Sequence, residues 1–409
     1  MSDLQNVFKK IQGYREEIIK LQEELTAKPA LCPENNGTGE HDKAALLKER
    51  IKELKPDQVL EIKVPDQRAR DGYRPNVIAR WKGRNDQKTV WVLSHMDIVP
   101  PGDLTLWNSN PYQIKVEGDK IYGRGVEDDQ HGIVSSFMAV KAVREAGLAF
   151  EHSVALVFAA DEETGSKYGL EYMVDNQAEL FKPNDFIIVP DGGNSDGTMV
   201  EIGEKGSIGF KFTVNGKQCH ASSPGKGNNS LYGAARLIVA LQELKAKFNL
   251  QDPLYSPPYS TFEPTKMEAN VPNINTIPGR DIFYMDCRVL PQYPLDEIIQ
   301  AVQMIIKKIE AELNLKVQLD FVKRHDAAPV TSIEAPVVKA LEQAIREIIG
   351  REPKIMGMGG GTVAAFFRKK GLPAVVWSTM NDTAHQANEY CDIQDIMTDA
   401  KVFAYLFLK

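Results

Sequence analysis

Five short stretches of the chain carry side chains able to bind divalent cations or move protons. "SHMDIVP" offers His95 and Asp97, and "YGRGVEDDQHG" offers Glu127, Asp128 and Asp129. "FAADEETGS" holds Asp161, Glu162 and Glu163, "VPDGG" holds Asp191, and "NDTAHQANEY" holds His385. Each has an ordinary reading when taken alone. A lone His-x-Asp is usually a hydrogen-bonded loop pair, and an aspartate before a helix can cap it. An aspartate beside two glycines suits a turn, and a short acidic run usually marks solvated surface. The set is harder to dismiss, because each stretch follows an apolar strand or opens a helix. If those strands share one sheet, the side chains converge on one edge, where α/β sheets form their sites. So many carboxylates without an arginine-rich partner stretch call for added positive charge. Two divalent ions would supply it. Two histidines with several carboxylates suit zinc, and cobalt or manganese accept the same donors. Asp97 lies two residues beyond His95 and faces the same way in extended chain. It can therefore orient the imidazole rather than bind an ion itself.

Hydrophobic patterning shows which elements must position these residues. "QVLEIKV", "NVIARW" and "TVWVLSHMDIV" read as strands, the last too apolar for a sheet edge. "GIVSSFMAVKAVREAG" reads as a helix closed by Gly147. "SVALVFAA" is a strand, "YGLEYMVDN" a short helix and "DFIIVPDGG" a strand with a polar end. This alternation predicts a largely parallel sheet covered by helices, an α/β class. Near residue 205 the style changes. "IGFKFTVNG", "NNSLYGAARLIVALQELKAK", "NINTIPGRDIFYMDCRVLP", "LDEIIQAVQMIIKKIEAELN" and "KVQLDFV" give a β-α-β-β-α-β order, which predicts an inserted α+β, ferredoxin-like domain. After residue 325 the helix "APVVKALEQAIREIIG", the strand "PAVVWS" and a terminal helix return to the first style. The expected organisation is a discontinuous catalytic domain, 1–204 with 326–409, interrupted by an insert, 205–325. No internal repeat is evident.

Composition narrows the function classes. The chain has 409 residues, 43% hydrophobic and 26% charged, enough for two or three domains. Its formal net charge of −7 argues against a general nucleic-acid binder. No stretch approaches the ~18 apolar residues of a membrane span, and the N-terminus lacks the apolar core of a signal peptide. Leu4, Val7, Phe8, Ile11, Ile18, Leu21 and Leu25 instead fall on one face of a predicted helix. Cys32, Cys219, Cys287 and Cys391 are scattered, with no spacing that suggests a zinc finger or a disulfide framework. The expectation is a cytoplasmic protein with reduced thiols.

The ordered motifs resemble the dinuclear zinc amidohydrolases that include succinyl-diaminopimelate desuccinylase, acetylornithine deacetylase, aminoacylase, bacterial dipeptidases and glutamate carboxypeptidase. The resemblance runs from "SHMDIVP" through "GRGVEDDQHG", "DEETGS", "PDGGN", "VNGKQCHASSPGKGNNS" and "NTIPGRDIFYMDCRVLP" to "AHQANEY". It implies that Asp128 bridges two metal ions, with His95 and Asp191 completing one site and Glu163 and His385 the other. It implies a supporting role for Asp97, and for Glu162 the role of general base toward a metal-bridging water. It also implies a cis peptide between Asp128 and Asp129. The insert of relatives often serves as lid and dimerisation surface. His220 in "CHASSP" then matches a histidine that stabilises the substrate's oxyanion in a neighbouring subunit. Arg288 and Asn275 match residues that hold the substrate's carboxylate, and Gly361 and Thr362 lie in a substrate-binding glycine loop. For Arg288 the plain alternative is an ordinary surface salt bridge, although its place in a strand beside Asp286 fits a lined groove better and bidentate recognition of a carboxylate favours arginine.

Two departures stand out. "EDDQHG" replaces the small apolar residue and lysine–glycine that relatives commonly carry after the aspartate, and Val363 replaces an aspartate found in many deacylases. The expected activity is cleavage of the amide of an N-acyl amino acid, such as an N-succinyl diamino acid. The alternative is a dipeptidase or carboxypeptidase on the same dinuclear site, with a non-catalytic binding relative as the remaining class. A homodimer formed through the insert is expected, with neither nucleic acid nor membrane as partner. Asp161 receives no role and reads as part of a solvated loop.

Overall fold

The structure, a computed structural model, describes residues 3–409. Its main strands in chain order are β1 (Gln58–Pro65), β2 (Tyr73–Trp81), β3 (Asn85–His95), β4 (His152–Ala159), β5 (Phe186–Asn194) and β6 (Met199–Glu204). There follow β7 (Gly206–Asn215), β8 (Thr261–Met267), β9 (Arg280–Val289), β10 (Lys316–His325), β11 (Lys354–Met358) and β12 (Ala374–Thr379). The chain forms two compact units. One comprises the chain up to Ile202 together with Val330–Ile355 and Thr362–Lys409, and the other Gly203–Pro329 with Met356–Gly361.

The large sheet has the order β1-β2-β4-β3-β5-β12-β6-β11. Its centre is parallel: β3 pairs with β4 and with β5, and β5 with β12. The pairs β1–β2, β2–β4 and β12–β6 are antiparallel. Runs such as Val90–Leu93 and Val154–Ala159 are buried throughout, which is why they read as continuous apolar stretches rather than alternating ones. On one face Trp91, Leu93, Val157, Ile187, Val189 and Val376 pack against Leu170, Met173 and Phe367. Helices Gln130–Glu145 and Ile393–Leu408 pack on each other, and both are buried on most of their surface.

One strand is irregular where chemistry needs it. Val376 pairs with Val189 and Ser378 with Gly193, so Pro190, Asp191 and Gly192 stand opposite Trp377 alone. The resulting bulge lifts Asp191 out of the ladder, a usual way to re-aim a side chain beside a site. It depends on a close approach, since a Cβ on Gly193 would stand 1.7 Å from the Ser378 carbonyl oxygen.

The second unit is a four-stranded antiparallel sheet, β8-β9-β7-β10. Helices Ser230–Leu241 and Leu295–Leu313 bury Leu237, Leu241, Ile298, Val302 and Ile305 against Phe210, Phe212, Phe283 and Met285. This is the β-α-β-β-α-β arrangement of a ferredoxin-like fold.

The N-terminal segment departs from the expected single helix. Helices Asp3–Gln12 and Arg15–Thr26 are separated at Gly13 and Tyr14. Glycine is a poor helix interior residue, and the break lets the Tyr14 hydroxyl donate to Glu145 at 2.8 Å. Val7, Ile11, Ile18, Leu21 and Leu25 are buried as the pattern required, while Leu4 and Phe8 are only partly covered. No helix among the described residues is long and apolar enough to cross a membrane.

Gly193→Ala should force β5 and β12 apart and cost about 1–3 kcal/mol, as overpacking of a tight interior does. Gly225→Ala, where an added Cβ meets nothing within 4 Å, should stay within about 0.5 kcal/mol of the parent. Thermal denaturation of the two variants measures the contrast.

Candidate active site

The four central parallel strands end on the same sheet edge, and each releases a polar residue there. His95 is the last residue of β3, and Asp161–Glu163 follow β4. Asp191 sits on the bulge of β5, and the loop after β12 carries His385. Asp128 reaches the same place from the turn before helix Gln130–Glu145, and the Asp128–Asp129 peptide is cis.

The carboxylate of Asp128 lies between two imidazoles. Its Oδ1 is 2.8 Å from His95 Nε2 and its Oδ2 3.1 Å from His385 Nε2. Glu163 Oε2 lies 3.0 Å from the same His385 nitrogen. Potential donor atoms of His95, Asp128 and Glu163 fall within 4.8 Å of one another, as do those of His95, Glu162 and Asp191. His95 Nδ1 donates to the Asp97 backbone carbonyl at 3.0 Å. That bond fixes the tautomer and leaves the Nε2 lone pair facing the cluster. The Asp97 carboxylate is farther from that ring, at 3.5 Å. His95 Nδ1 therefore faces both the main-chain carbonyl of Asp97 and, slightly farther off, its carboxylate, the side chain expected from the sequence.

The Asp97 carboxylate has a second task. Its two oxygens accept the backbone N–H groups of Glu162 and Glu163, each at 3.0 Å. Glu162–Thr164 form a single 3-10 turn, preceded by Asp161 in the left-handed region at φ 67°. The turn removes the strand alternation that would have sent Glu162 and Glu163 to opposite faces. Asp161 contradicts the solvated-loop reading. It is 2% exposed, and Arg74 Nη1 donates to its Oδ1 at 3.3 Å. Its side chain also accepts from Thr164 Oγ1 and from Tyr168 N. The counter-charge lies on β2, far away in sequence, and no local pattern pointed to it.

Several further residues, to which the sequence assigned no role, hold the site together. Glu127 is buried, and its carboxylate accepts from Thr383 N at 2.7 Å, from Thr383 Oγ1 at 2.6 Å and from Asn381 N. It thereby ties down the loop that carries His385. Glu389, equally buried, accepts from the backbone N–H of Gly125, Glu127 and Asp128 and pairs with Arg124. Asp129 Oδ2 accepts from His95 N at 3.1 Å. His131 Nε2 lies 2.9 Å from Asp399, whose carboxylate also accepts from Thr379 N and Oγ1. The unusual "EDDQHG" thus consists largely of anchors around Asp128. The one signal available in sequence was the density of polar residues in stretches that otherwise read as core.

Burial and mutual repulsion dominate the electrostatics. Burial, with Glu163, Asp128 and Asp97 nearby, pushes Glu162 up to about 8. Burial beside Asp128 and Glu162 drives Asp191 well above the carboxylate range. Asp128 is held low despite its burial, because His385 and His95 bond to it. His385 is raised to about 10 by Asp128 and Glu163. Even with both imidazoles protonated, the carboxylates outnumber the positive charges. Divalent cations resolve that imbalance, and a nitrogen-and-oxygen donor set around a shared carboxylate suits them. The residues therefore fit a metal centre.

The remaining residues singled out in the sequence, apart from Thr362, lie in the second unit. His220 pairs with Thr276 across a two-residue ladder, and Ala221 N donates to Asn275 O at 2.8 Å. The exposed His220 accepts at Nδ1 from Ser222 N at 3.1 Å, so a neutral ring carries its proton on Nε2. Arg288 Nε donates to Asp286 Oδ1 at 2.7 Å and Nη1 to Gly359 O at 2.9 Å. A substrate carboxylate would find that guanidinium already partly engaged. Gly361 lies in open space, where an added Cβ meets nothing within 4 Å. Thr362, the first residue of the returning first unit, has Ala364 N donating to its Oγ1 at 3.3 Å. Val363 is 3% exposed and packs in the core.

Residues 91–409 match peptidase family M20/M25/M40. An uncharacterized metallohydrolase of Methanocaldococcus jannaschii is 39% identical over 408 residues, covering 96% of this chain and 99% of its own. A succinyl-diaminopimelate desuccinylase of Rickettsia bellii is 30% identical over 333 residues, covering 79% of this chain and 82% of its own. Among solved structures, human carnosine dipeptidase 1 superposes with a TM-score of 0.78 at 18% identity, covering 100% of this chain and 98% of its own. An M20 metallo-carboxypeptidase from Sulfolobus solfataricus gives 0.74 at 21%, with 96% and 99% covered. Both share the fold.

Glu127→Ala should release the 381–385 loop and weaken metal binding about 10–100-fold, as loss of an outer support does. Competition with a chromophoric chelator reads the affinity, and circular dichroism checks that the fold is retained.

Proposed function

The chain belongs to peptidase family M20/M25/M40, a family of metal-dependent enzymes that hydrolyse amide bonds, and we propose that it deacylates an N-acyl amino acid. The substrate class in view is an N-succinyl or N-acetyl amino acid. In this reading His95, Asp128 and Asp191 hold one divalent ion, and Asp128, Glu163 and His385 a second, most simply both zinc. The observation that carries it is Asp128, whose two oxygens each face a different imidazole. When bound, such ions supply Lewis acidity and a nucleophilic oxygen at neutral pH.

The chain's own residues would do the rest. Glu162 takes a proton from the attacking water and returns it to the departing amine. Asp97 keeps Glu162 and Glu163 in register through their backbone N–H groups. His220 presents an Nε2 proton suited to the developing oxyanion of a substrate, and Arg288 with Asn275 receives its carboxylate. In the dimer proposed here, the second unit supplies the contact surface. Support comes from its edge strand β10, where Phe321 and Val322 are 51% and 63% exposed. The desuccinylase relative supports the N-acyl reading. A dipeptidase or carboxypeptidase is the second reading, favoured by the burial of Val363 where many deacylases place an aspartate.

Glu162→Gln should keep both metals yet lower kcat by about 10²–10⁴-fold, the usual contribution of a general base; unchanged turnover would remove Glu162 from that role. His220→Ala should reduce turnover with metal content unchanged. Metal analysis of the purified protein is expected to find about two ions per chain, and one or none would end the dinuclear reading. Rates on N-acyl amino acids compared with dipeptides, with added zinc, cobalt or manganese, separate the two substrate classes. A sizing measurement tests the dimer.

A further inference from the structure

Behind the Glu162–Glu163 turn lies a buried cluster that the proposed reaction does not use. Arg74 is its hub and is fully buried. Its guanidinium donates to both carboxylate oxygens of Glu40, to Asp161 Oδ1 at 3.3 Å and to Cys32 Sγ at 3.0 Å. Cys32, equally buried, donates its S–H to Asp97 Oδ2 at 3.1 Å. The same Asp97 oxygen accepts the Glu163 N–H.

We propose that Cys32 is a positioning residue for the metal centre: its thiol, held between Arg74 and Asp97, sets the orientation of the carboxylate that carries the Glu162–Glu163 turn. The inference rests on the functional reading above. The thiol is well placed because its backbone is fixed twice. Leu31 forms a bridge with Ile98, and Ile98 N donates to Ala30 O at 3.2 Å, which registers this segment to the chain just past His95. The Cys32 carbonyl then accepts from Asn35 N and Gly37 N, closing the turn beyond it. Sγ is therefore delivered at a preset point, and of the two carboxylates within reach of its single S–H, Asp97 at 3.1 Å is much nearer than Glu40 at 4.0 Å.

An ion site is the competing reading, since donor atoms of Cys32, Glu40 and Asp97 fall within 4.8 Å of one another. The Arg74 guanidinium, bonded to both Cys32 and Glu40, already supplies the positive charge there. Fully buried Lys43, pulled down to about 8 by burial against the opposing effect of Asp97 and Glu40, stays largely protonated at neutral pH and adds a second. Burial next to Asp97 and Glu40 also drives the thiol pKa far up, so sulfur remains a donor rather than a thiolate ligand.

The test compares Cys32→Ala, which cannot donate, with Cys32→Ser, which can, in the full chain. Cobalt(II)-loaded protein gives a visible spectrum sensitive to ligand arrangement, and chelator competition gives metal affinity. Cys32→Ala should lower kcat and cobalt affinity about tenfold each and change the cobalt bands, with KM within about twofold. Cys32→Ser should bring kcat and affinity back to within about threefold of the parent and restore the bands. A wild-type spectrum and kcat in Cys32→Ala would overturn the proposal. So would a Cys32→Ser as impaired as Cys32→Ala, which would point to packing volume alone. If Cys32→Ala does not fold, Cys32→Val fills the volume without a donor and takes its place, with the same outcomes. Parent protein that binds no cobalt and cleaves no N-acyl amino acid sinks the functional reading itself. Parent protein that does both, while the non-donating variant matches it, sinks only the role of Cys32.

Discussion

Asp128 is the point on which the site depends. A carboxylate with an imidazole on each oxygen joins the end of β3 to the loop after β12 through one side chain. Burial alone would drive its proton affinity up, and the two histidines reverse that. The neighbouring carboxylates have no such partners in sufficient number. Burial and repulsion raise Glu162 and Asp191 instead. A cluster with that imbalance is built around positive charge, and the family's dependence on metals is the same fact seen from chemistry.

Buried carboxylates that never meet substrate keep this cluster in shape. Glu127 holds the His385 loop, Glu389 holds the loop before Asp128, and Asp97 holds the Glu162–Glu163 turn. Each accepts backbone N–H groups that would otherwise be buried without partners, an expense of about 1–3 kcal/mol apiece. The ion pairs Arg124–Glu389, Arg74–Glu40 and Arg368–Glu201 are fully buried too. Breaking one such pair costs about 3–5 kcal/mol, a large share of the ~5–15 kcal/mol that stabilises a typical domain. The first two stand beside the loop before Asp128 and the Glu162–Glu163 turn, whereas Arg368–Glu201 fastens helix Ala364–Lys369 to β6.

The second unit holds other side chains assigned a part in the proposed reaction, among them His220 and Arg288. His220 is exposed, and Ser222 N donates to its Nδ1, which leaves the proton of the neutral ring on Nε2. Arg288 is shared with Asp286 and Gly359, so its affinity for a carboxylate depends on competition with an internal partner.

The sequence by itself determined the central strands, the α/β class and the ferredoxin-like order of the insert. Those follow from local hydrophobic periodicity, and the apolar runs ending in "SHMD", "ADEE" and "VPDGG" are visible without any contact map. It also marked which residue types stood at the strand ends. Tertiary structure decided what each neighbour of those residues does. Asp161 looked solvated because its partner Arg74 lies 87 positions earlier, and Glu127 had no assigned role because Thr383 lies 256 positions later. The N-terminal helix broke at Gly13, where Tyr14 found Glu145. A side chain's burial and charge state depend on groups that only the folded chain brings near, and periodicity carries no record of them.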